Sequence, residues 1–214
     1  MKMRFLPLIF YALAGCMASS TDDKGWTSLF NGKDLSGWKS NEETPGVFTV
    51  TDGVLKVSGG RAHLFYGANG DAKFTNFEFK AKVMTTKGAN SGIYFHTEFV
   101  PKGWPAKGFE CQVNTSHTDR KKTGGLYAVQ DVIDNAPSKD DEWFDYYIKV
   151  EGRHVVLQIN GKTTADWMQP VDWDPKKSLK NMDGRKLGSG TFALQGHDPK
   201  STTYYKEIFV RVLP

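Results

Sequence analysis

The fold of this chain is decided by two stretches near its middle, GANSGIYFHTEF at residues 88–99 and GFECQVNTSH at residues 108–117. In the second stretch, Cys111 and Val113 alternate with Glu110, Gln112 and Asn114. Successive side chains of a β-strand point to opposite faces, so this pattern predicts a strand with one apolar and one polar face. The apolar face belongs to a protein core, and the polar face is left for water or a ligand.

Two further strands repeat the pattern. In the first stretch Tyr94 and His96 alternate with apolar residues, and in GTFALQGHD at 190–198 Gln195 and His197 do the same. An ordinary solvated face would carry more Lys, Glu and Thr. Amide, imidazole and phenol groups on a rigid sheet suit a ligand with many hydroxyls, so we expect a carbohydrate to bind there.

The rest of the chain is also rich in strand signals. No sustained helical periodicity follows residue 25, and about a dozen short runs alternate with turn residues, which predicts an all-β sandwich or barrel. The many strands and the one polar face favour a two-sheet jelly roll. Asn160-Gly161 and Gly152-Arg153 predict tight turns in a three-strand meander over 143–167. We expect a strand at 125–129 and loops at 119–123, 131–142 and 168–187, the last with a short helix.

The N-terminus has the features of a bacterial lipoprotein signal. Lys2 and Arg4 precede an apolar run at 5–13, which is too short to cross a bilayer, and Leu-Ala-Gly-Cys at 13–16 resembles the lipobox. We therefore predict a signal peptide at 1–15, lipidation of Cys16, a flexible tether at 16–24 and a single domain at 25–214. This predicts a lipoprotein of the bacterial cell envelope, periplasmic or surface-exposed, held to the membrane by its lipid.

Charge and cysteine content narrow the function further. The formal net charge of +4 falls to +2 when the signal peptide is removed, which argues against a nucleic-acid partner. With Cys16 lipidated, Cys111 is the remaining cysteine, and its place on the apolar side of its strand predicts a small buried hydrophobic residue.

Blocks along the whole chain resemble one bacterial family. WTSLFNGKDLSGW at 26–38 looks like the opening signature of the 3-keto-disaccharide hydrolase, or 3-keto-glucoside lyase/hydrolase, family. The later blocks GANSGIYFHTEF, KGFECQVN, TGGLY, EWFDYYIKVEG, GTFALQGHDP and KEIFVRVL follow in the family's order over essentially all of 25–214. The resemblance implies a concanavalin-like jelly roll and carbohydrate chemistry. The chain departs from many members at His96, where they carry Arg.

The reaction that the resemblance implies begins at a sugar whose C3 is a ketone. The ketone acidifies the C2 proton, a base removes this proton, and the C1 oxygen leaves; water then adds, which gives net hydrolysis. A divalent metal, Mn²⁺ or Ca²⁺, across the ketone would stabilise the enolate. The residues expected to act in catalysis are Glu110, His96, His197 and Tyr127, with Glu110, His96 and His197 also as possible metal ligands. The residues expected to bind substrate are Gln112, Asn114, Tyr94, Gln195, Trp104 and Lys82.

Two alternatives stay open. A non-catalytic carbohydrate-binding jelly roll would use the same polar face, because fold does not fix function, and a member that has lost activity would look alike. A two-carboxylate glycosidase is disfavoured, because no Glu-x-Asp-x-x-Glu pattern occurs on one strand. His63 and His154 are assigned to structural roles, and His117 is left open as a site contact.

Overall fold

The structure is a computed structural model that describes residues 25–41 and 43–214. Within these residues the chain forms fifteen β-strands and one helical turn. In chain order they are β1 (Thr27–Ser28), β2 (Trp38–Ser40), β3 (Phe48–Thr51), β4 (Val54–Ser58), β5 (Ala62–Tyr66), β6 (Phe77–Thr85), β7 (Asn90–Thr97), β8 (Phe109–Asn114), β9 (Lys121–Leu126), β10 (Gln130–Ile133), β11 (Phe144–Glu151), β12 (His154–Ile159), β13 (Lys162–Met168), α1 (Pro175–Ser178), β14 (Thr191–Gly196) and β15 (Thr202–Val212).

The strands form two antiparallel sheets that pack face to face. One sheet has the order β13-β12-β11-β6-β15-β4-β3, with β1 also paired to β15, and we call it the eight-stranded sheet. The seven-stranded sheet has the order β10-β9-β8-β7-β14-β5-β2. The middle of each sheet joins strands from distant parts of the chain, such as β6 with β15 and β7 with β14, as in a jelly roll. The predicted all-β, concanavalin-like jelly-roll sandwich is confirmed.

The core lies between the sheets and follows the predicted alternation. Phe77, Phe79 and Val83 of β6 are fully buried in it, and Cys111 and Val113 of β8 meet them from the other sheet. Burying large apolar side chains contributes about 1.5–3 kcal/mol each before the entropy of ordering is subtracted. The opposite face of β8 is therefore free to carry polar groups.

The meander at 143–167 is confirmed. Asn160 and Gly161 both have positive φ, at 50° and 76°, as a type I′ turn between β12 and β13 requires. Gly152, with φ 59°, makes the turn between β11 and β12. The predicted short helix in the loop at 168–187 is α1, whose first turn is capped by the Asp174 side chain accepting from the Lys176 amide.

The prediction for residues 119–133 is wrong. In place of a strand at 125–129 and loops on either side, β9 and β10 form a hairpin that turns at 127–129. Ala128 has φ 65°, and the Asp131 carboxylate accepts from its amide at 2.9 Å. Neither residue belongs to the glycine or asparagine pairs by which such turns are usually recognised, so the sequence offered a weak turn signal.

The N-terminal predictions fall outside the described residues. The signal peptide, Cys16 and the tether lie within residues 1–24, and they stay predictions. Among the described residues no helix has the length and apolar character that crossing a bilayer requires. Cys111 is a buried free thiol, as predicted, and burial raises its pKa well above the usual value.

Candidate active site

A cavity of about 560 Å³ opens on the face of the seven-stranded sheet that is turned away from the core. Strands β7, β8 and β14, in the middle of that sheet, form its floor, and loop residues at 104–106 and 181–185 form its walls. The cavity brings together seven of the ten predicted catalytic and binding residues: Tyr94, Trp104, Glu110, Gln112, Tyr127, Gln195 and His197.

Glu110 is the centre of a hydrogen-bond network on the cavity floor. Its Oε2 accepts from the Tyr94 hydroxyl at 2.9 Å and from Arg185 Nη2 at 3.3 Å. Its Oε1 accepts from Gln195 Nε2 at 2.9 Å, and the same Nε2 lies 3.0 Å from the Tyr94 hydroxyl oxygen. Both carboxylate oxygens therefore have protein donors, which fixes the group in one position.

Gly92 has no side chain to block the Glu110 side chain where it crosses strand β7. It lies on β7 opposite Gln112, between Glu110 on β8 and Gln195 on β14. A Cβ at residue 92 would stand 2.6 Å from Glu110 Oε1 and 3.0 Å from its Cγ. The absence of a side chain is what lets a carboxylate from β8 reach an amide on β14.

Arg185 is a site residue that the sequence prediction missed. Its side chain is only 6% exposed, its Nη1 donates to the Gly108 carbonyl at 3.1 Å, and its guanidinium lies 5.4 Å from the centre of the Tyr94 ring. The loop that carries it is fastened at the same place, because the Gly108 amide donates to the Gly184 carbonyl at 3.0 Å. Arg185 supplies the positive charge that a buried Glu110 requires.

The two tyrosines of the cavity stay protonated near neutral pH. Burial, with the negative charge of Glu110 as a second cause, raises the pKa of Tyr94 well above its usual value. Burial also raises the pKa of Tyr127, helped by Asp119, Glu110 and Asp131. Tyr127 is held by its amide, which donates to the Glu110 carbonyl, and by Lys121, whose ammonium lies 4.0 Å over its ring. Both phenols are therefore hydrogen-bond donors.

Three amide oxygens in the cavity lining have no partner among the described residues. They are Asn90 Oδ1, Gln112 Oε1 and Gln195 Oε1, and all three atoms are buried. A buried acceptor without a donor costs about 1–3 kcal/mol, so such groups in a native protein need an explanation. A ligand with several hydroxyls would supply the missing donors.

Trp104 forms an aromatic wall at the mouth of the cavity. The residue is 45% exposed, and its ring lies 5.4 Å from the His197 ring and 5.6 Å from the His63 ring. The Arg61 guanidinium lies 5.2 Å from the same ring, and both Arg61 and the Gly103 amide are held by Glu43. The indole is thus fixed on one side and open on the other, as a stacking platform for a sugar ring requires.

His197 lies at the end of β14 beside two further polar groups. Its Nδ1 is 2.9 Å from Asp198 Oδ2, and its Nε2 is 3.2 Å from Asn90 Nδ2. Across Asp198, His117 Nε2 lies 3.9 Å from the same carboxylate oxygen. Burial by itself would raise the pKa of Asp198, but hydrogen bonds from Ser201 and His197 outweigh it and hold the pKa below the usual range, so the carboxyl is ionised.

His117, His197 and Asp198 are also the group of described residues whose ligand atoms lie close enough together to hold a metal ion. The hydrogen bonds of these three residues do not suit a bound metal ion. Nδ1 of His117 accepts from the Asp119 amide at 3.0 Å, so the neutral ring carries its proton on Nε2, the atom that faces Asp198. Nδ1 of His197 faces that carboxylate as well. Two N–H groups converge on one oxygen, and a cation would need lone pairs there instead.

Comparison with known proteins places the chain in a family. Residues 25–211 match the model of the 3-keto-alpha-glucoside-1,2-lyase-like domain. The chain belongs to this family. A 3-keto-disaccharide hydrolase of Bacteroides thetaiotaomicron is 35% identical over 233 aligned positions, which cover 90% of this chain and 80% of that protein. The resemblance inferred from the sequence blocks is confirmed.

Solved structures share the fold of this family member. A crystal structure from Parabacteroides distasonis, assigned provisionally to the glycosyl hydrolases, has a TM-score of 0.75 at 24% identity and covers 89% of this chain and 95% of its own. The carbohydrate-binding module CBM66 of Bacillus subtilis has a TM-score of 0.55 at 12% identity, over 82% of this chain and 95% of its own. At these identities the likeness is one of fold.

The predicted orientation of His96 is wrong for this member of the family. Simple alternation places it on the cavity face with Tyr94, but its φ is 53° and the register between β7 and β14 shifts nearby. Its ring packs against Phe77 and Phe95 instead. Nε2 bonds the Thr75 carbonyl at 2.8 Å, Nδ1 accepts from the Gly188 amide at 3.3 Å, and burial lowers its pKa to about 4. His96 is a neutral structural residue without a free nitrogen.

Asn114 and Lys82 also lie away from the cavity. Asn114 shares the polar face of β8, but its Nδ2 donates to the Asp119 and Lys121 carbonyls at 3.0 and 2.7 Å and its Oδ1 accepts from the His117 amide at 2.9 Å. It shapes the loop that carries His117. Lys82 is on β6 of the other sheet and pairs with Asp145 at 2.7 Å, which raises its pKa.

Other lining residues had signals of different strength in the sequence. Asn90 lies on the same face as Tyr94 by simple alternation, so the pattern of β7 pointed to it. Arg185 and Asp119 come from loops, where no period applies. For Arg185 the available signal was the length of the loop at 168–187, because long structureless connections in compact domains are often functional.

Proposed function

We propose that this protein cleaves 3-keto-glycosides, including 3-keto-disaccharides, by removal of the C2 proton, elimination of the C1 oxygen and hydration of the product. Membership of the 3-keto-alpha-glucoside-1,2-lyase-like family supports the proposal, as does the activity named for the Bacteroides thetaiotaomicron relative. Both point to a carbohydrate-acting protein. The finer assignment of reaction and substrate rests on the chemistry of the cavity.

The observation that carries the proposal is a set of three buried amide oxygens that have no hydrogen-bond partner in the described part of the chain. Asn90, Gln112 and Gln195 each offer an acceptor to a ligand hydroxyl in a cavity that also has an exposed indole at its mouth. Sugars present hydroxyls around the edge of a ring and C–H groups on its faces, so convergent acceptors and an aromatic platform match both surfaces. The cavity volume of about 560 Å³ is in the range of small-ligand sites.

The chemistry needs a donor for the enolate oxygen. Tyr127 keeps its proton because burial raises its pKa, so its phenol can donate a hydrogen bond as negative charge develops on the C3 oxygen, whereas the single O–H of Tyr94 already donates to Glu110. Such donors are fixed before the reaction and need no reorganisation, which is the main source of electrostatic catalysis.

The chemistry also needs a base. Glu110 and His197 both line the cavity, but Glu110 already accepts from Tyr94, Arg185 and Gln195. We assign Glu110 to substrate orientation and charge balance, and His197 to proton transfer. If Mn²⁺ or Ca²⁺ takes part, it would polarise the ketone, and its ligands would have to differ from the predicted trio, since His96 is buried elsewhere.

The test compares the purified protein on a 3-keto-glucoside with a chromophoric leaving group and on the parent glucoside. We expect release from the ketone alone, and loss of most of that release in Glu110→Gln and His197→Gln. Chelation followed by addition of Mn²⁺ or Ca²⁺ would decide the metal question. Sugar binding without release from either substrate would refute the enzyme and favour the carbohydrate-binding alternative.

We also propose that the protein is anchored in the bacterial cell envelope through a lipid on Cys16. The support is the order of positive charges, apolar run and Leu-Ala-Gly-Cys at 2–16. Metabolic labelling with a fatty acid should mark the full chain and should fail to mark Cys16→Ser. Labelling that persists in the variant would refute the site.

A further inference from the structure

The cluster of His197, Asp198 and His117 has a hydrogen-bond pattern that assigns its protons. An ionised carboxylate only accepts hydrogen bonds, so His197 Nδ1, at 2.9 Å from Asp198 Oδ2, must carry a proton. A neutral imidazole has one N–H, so Nε2 then holds the lone pair. The Asn90 amide group fits this assignment, because its Nδ2 lies 3.2 Å from Nε2 and a lone pair there can accept from it.

We propose that Asp198 is a positioning residue that holds His197 in the tautomer with a free Nε2, and that this Nε2 is the base that removes the C2 proton. This inference rests on the proposed function for the reaction, although the tautomer itself does not. Asp198 is anchored for the task, because its Oδ2 also accepts from Ser201 at 2.6 Å and its Oδ1 accepts from the Lys200 amide at 2.9 Å.

The position of Nε2 is suited to the substrate. His197 and Asn90 line the cavity, and the His197 ring lies 5.4 Å from the Trp104 ring, beside the surface expected to hold the sugar. The contact of Asn90 with Nε2, at 3.2 Å, is the one that a substrate would replace. A carboxylate behind an imidazole also stabilises the imidazolium that forms when the base gains its proton.

The step balances without a further reactant. The C2–H bond breaks, Nε2 gains the proton, and the electron pair converts the C3 ketone into an enolate. The enolate then expels the C1 oxygen, which forms a C1–C2 double bond and restores the ketone. The departing oxygen takes the proton back from Nε2, so His197 ends as it began. Water adds to the double bond in the net hydrolysis.

His117 completes the arrangement from the other side. Its Nδ1 is occupied by the Asp119 amide, so its Nε2–H points towards Asp198 at 3.9 Å. At 3.9 Å this N–H faces the carboxylate without a hydrogen bond to it. The distances among these three residues would suit a metal site, but their hydrogen bonds suit proton transfer by His197.

The experiment uses Asp198→Asn. The new amide oxygen can keep the bond from Lys200, and the new NH₂ then faces His197 Nδ1, which must become an acceptor and move the proton to Nε2. We expect kcat to fall roughly 100- to 10,000-fold, with KM changed by less than about threefold. Asp198→Glu, which restores a carboxylate, should recover part of kcat. Circular dichroism and a thermal unfolding curve would check that the variants fold.

A matched control exists on the other sheet. His154 Nε2 lies 2.6 Å from Asp166 Oδ1 between β12 and β13, away from the cavity, so Asp166→Asn should leave kcat unchanged. Unchanged kcat in Asp198→Asn would overturn the proposal.

The tautomer can be measured without any substrate. In ¹⁵N-labelled protein the His197 ring nitrogens should show a protonated Nδ1 and an unprotonated Nε2 in the wild type, and the reverse in Asp198→Asn. The opposite assignment in the wild type would refute the proposal even if the protein is active. If the protein turns over no 3-keto-glycoside, the proposed function fails separately. A change in the His117 and His197 resonances on adding Ca²⁺ or Zn²⁺, reversed by a chelator, would establish a metal site instead.

Discussion

The carboxylate of Glu110 lies directly over the backbone of Gly92. The Glu110 side chain crosses β7 at the one position without a Cβ and reaches Gln195 on β14 at 2.9 Å. Strands in a sheet are about 4.8 Å apart, so a side chain has to pass over a whole strand to meet a partner two strands away. The glycine thus couples three strands of the cavity floor through one acidic group.

Gly92→Ala should reduce activity while the protein remains folded. The added methyl would stand 2.6 Å from Glu110 Oε1, and the side chain, unlike the backbone, can move away. We expect the carboxylate to lose the Gln195 contact and kcat/KM to fall roughly 100-fold, as for other small displacements of a positioned group. Steady-state kinetics with the 3-keto-glucoside would measure it.

Gly188→Ala is the matched control. A methyl there meets nothing within 4 Å, and φ at residue 188 lies outside the left-handed region. Activity should stay within about twofold of wild type. A fall in activity as large as that of Gly92→Ala would contradict the steric explanation.

Arg185→Met should destabilise the protein. The Arg185–Glu110 pair is buried on both sides, with side chains 6% and 9% exposed, so loss of the cation leaves an uncompensated charge. We expect the free energy of unfolding in urea to fall by about 3–5 kcal/mol. Arg120→Met, which removes an exposed ion pair with Asp134, should change the stability far less, because solvent screens exposed pairs.

A second change tests the cause of that loss. Adding Glu110→Gln to Arg185→Met removes the stranded charge, so the double variant should be more stable than Arg185→Met alone. If the stability loss of the double variant equals the sum of the losses measured for Arg185→Met and Glu110→Gln separately, the arginine stabilises the fold through its other contacts, such as the Gly108 carbonyl.

His63→Phe should reduce the acid sensitivity of the fold. Burial lowers the pKa of His63 from 6.5 to about 3, and both ring nitrogens are buried without a partner among the described residues. Between these values the unfolded chain binds a proton that the folded protein does not. Stability therefore falls as pH falls through this window, by up to about 1.4 kcal/mol per pH unit.

Phe fits the site because His63 makes ring contacts with Phe65, Tyr94 and Trp104. Urea unfolding from about pH 4 to pH 7 should show a smaller slope of stability against pH in the variant. The same slope in both proteins would mean that the His63 ring gains its proton without unfolding.

Trp104→Ala should weaken substrate binding more than it slows the chemistry. The exposed indole lies at the mouth of the cavity, so we expect KM to rise roughly 10-fold, or about 1.4 kcal/mol, with a smaller change in kcat. Trp143→Ala is the control, because that ring packs on Lys206 of the other sheet. Equal effects of both changes on KM would remove Trp104 from the sugar platform.

The strand pattern predicted much of the site because it depends on local geometry. Glu110, Gln112, Tyr94 and Gln195 share a face for the same reason that Cys111 is buried: side chains alternate along an extended backbone. Where the backbone leaves that geometry the prediction fails. His96 itself has a positive φ, and this backbone conformation turns its side chain away from the cavity and against Phe77.

The alternation of side chains also does not predict whether a polar side chain already has hydrogen-bond partners within the protein. Asn114 occupies the same face as Gln112, yet the Asp119 and Lys121 carbonyls accept from both of its N–H groups, while Gln112 Oε1 has no partner among the described residues. The difference comes from the loop after β8, which folds back on Asn114.

The sequence by itself determined the two-sheet sandwich, the face that carries the polar groups and the family, because periodicity and ordered blocks are properties of the chain. The tertiary structure decided which polar groups act together. Arg185 meets Glu110 across 75 residues, and Asp198 lies between histidines at 117 and 197. Such contacts depend on how loops close over the sheet, and loop closure is governed by packing between distant segments, for which no local pattern exists.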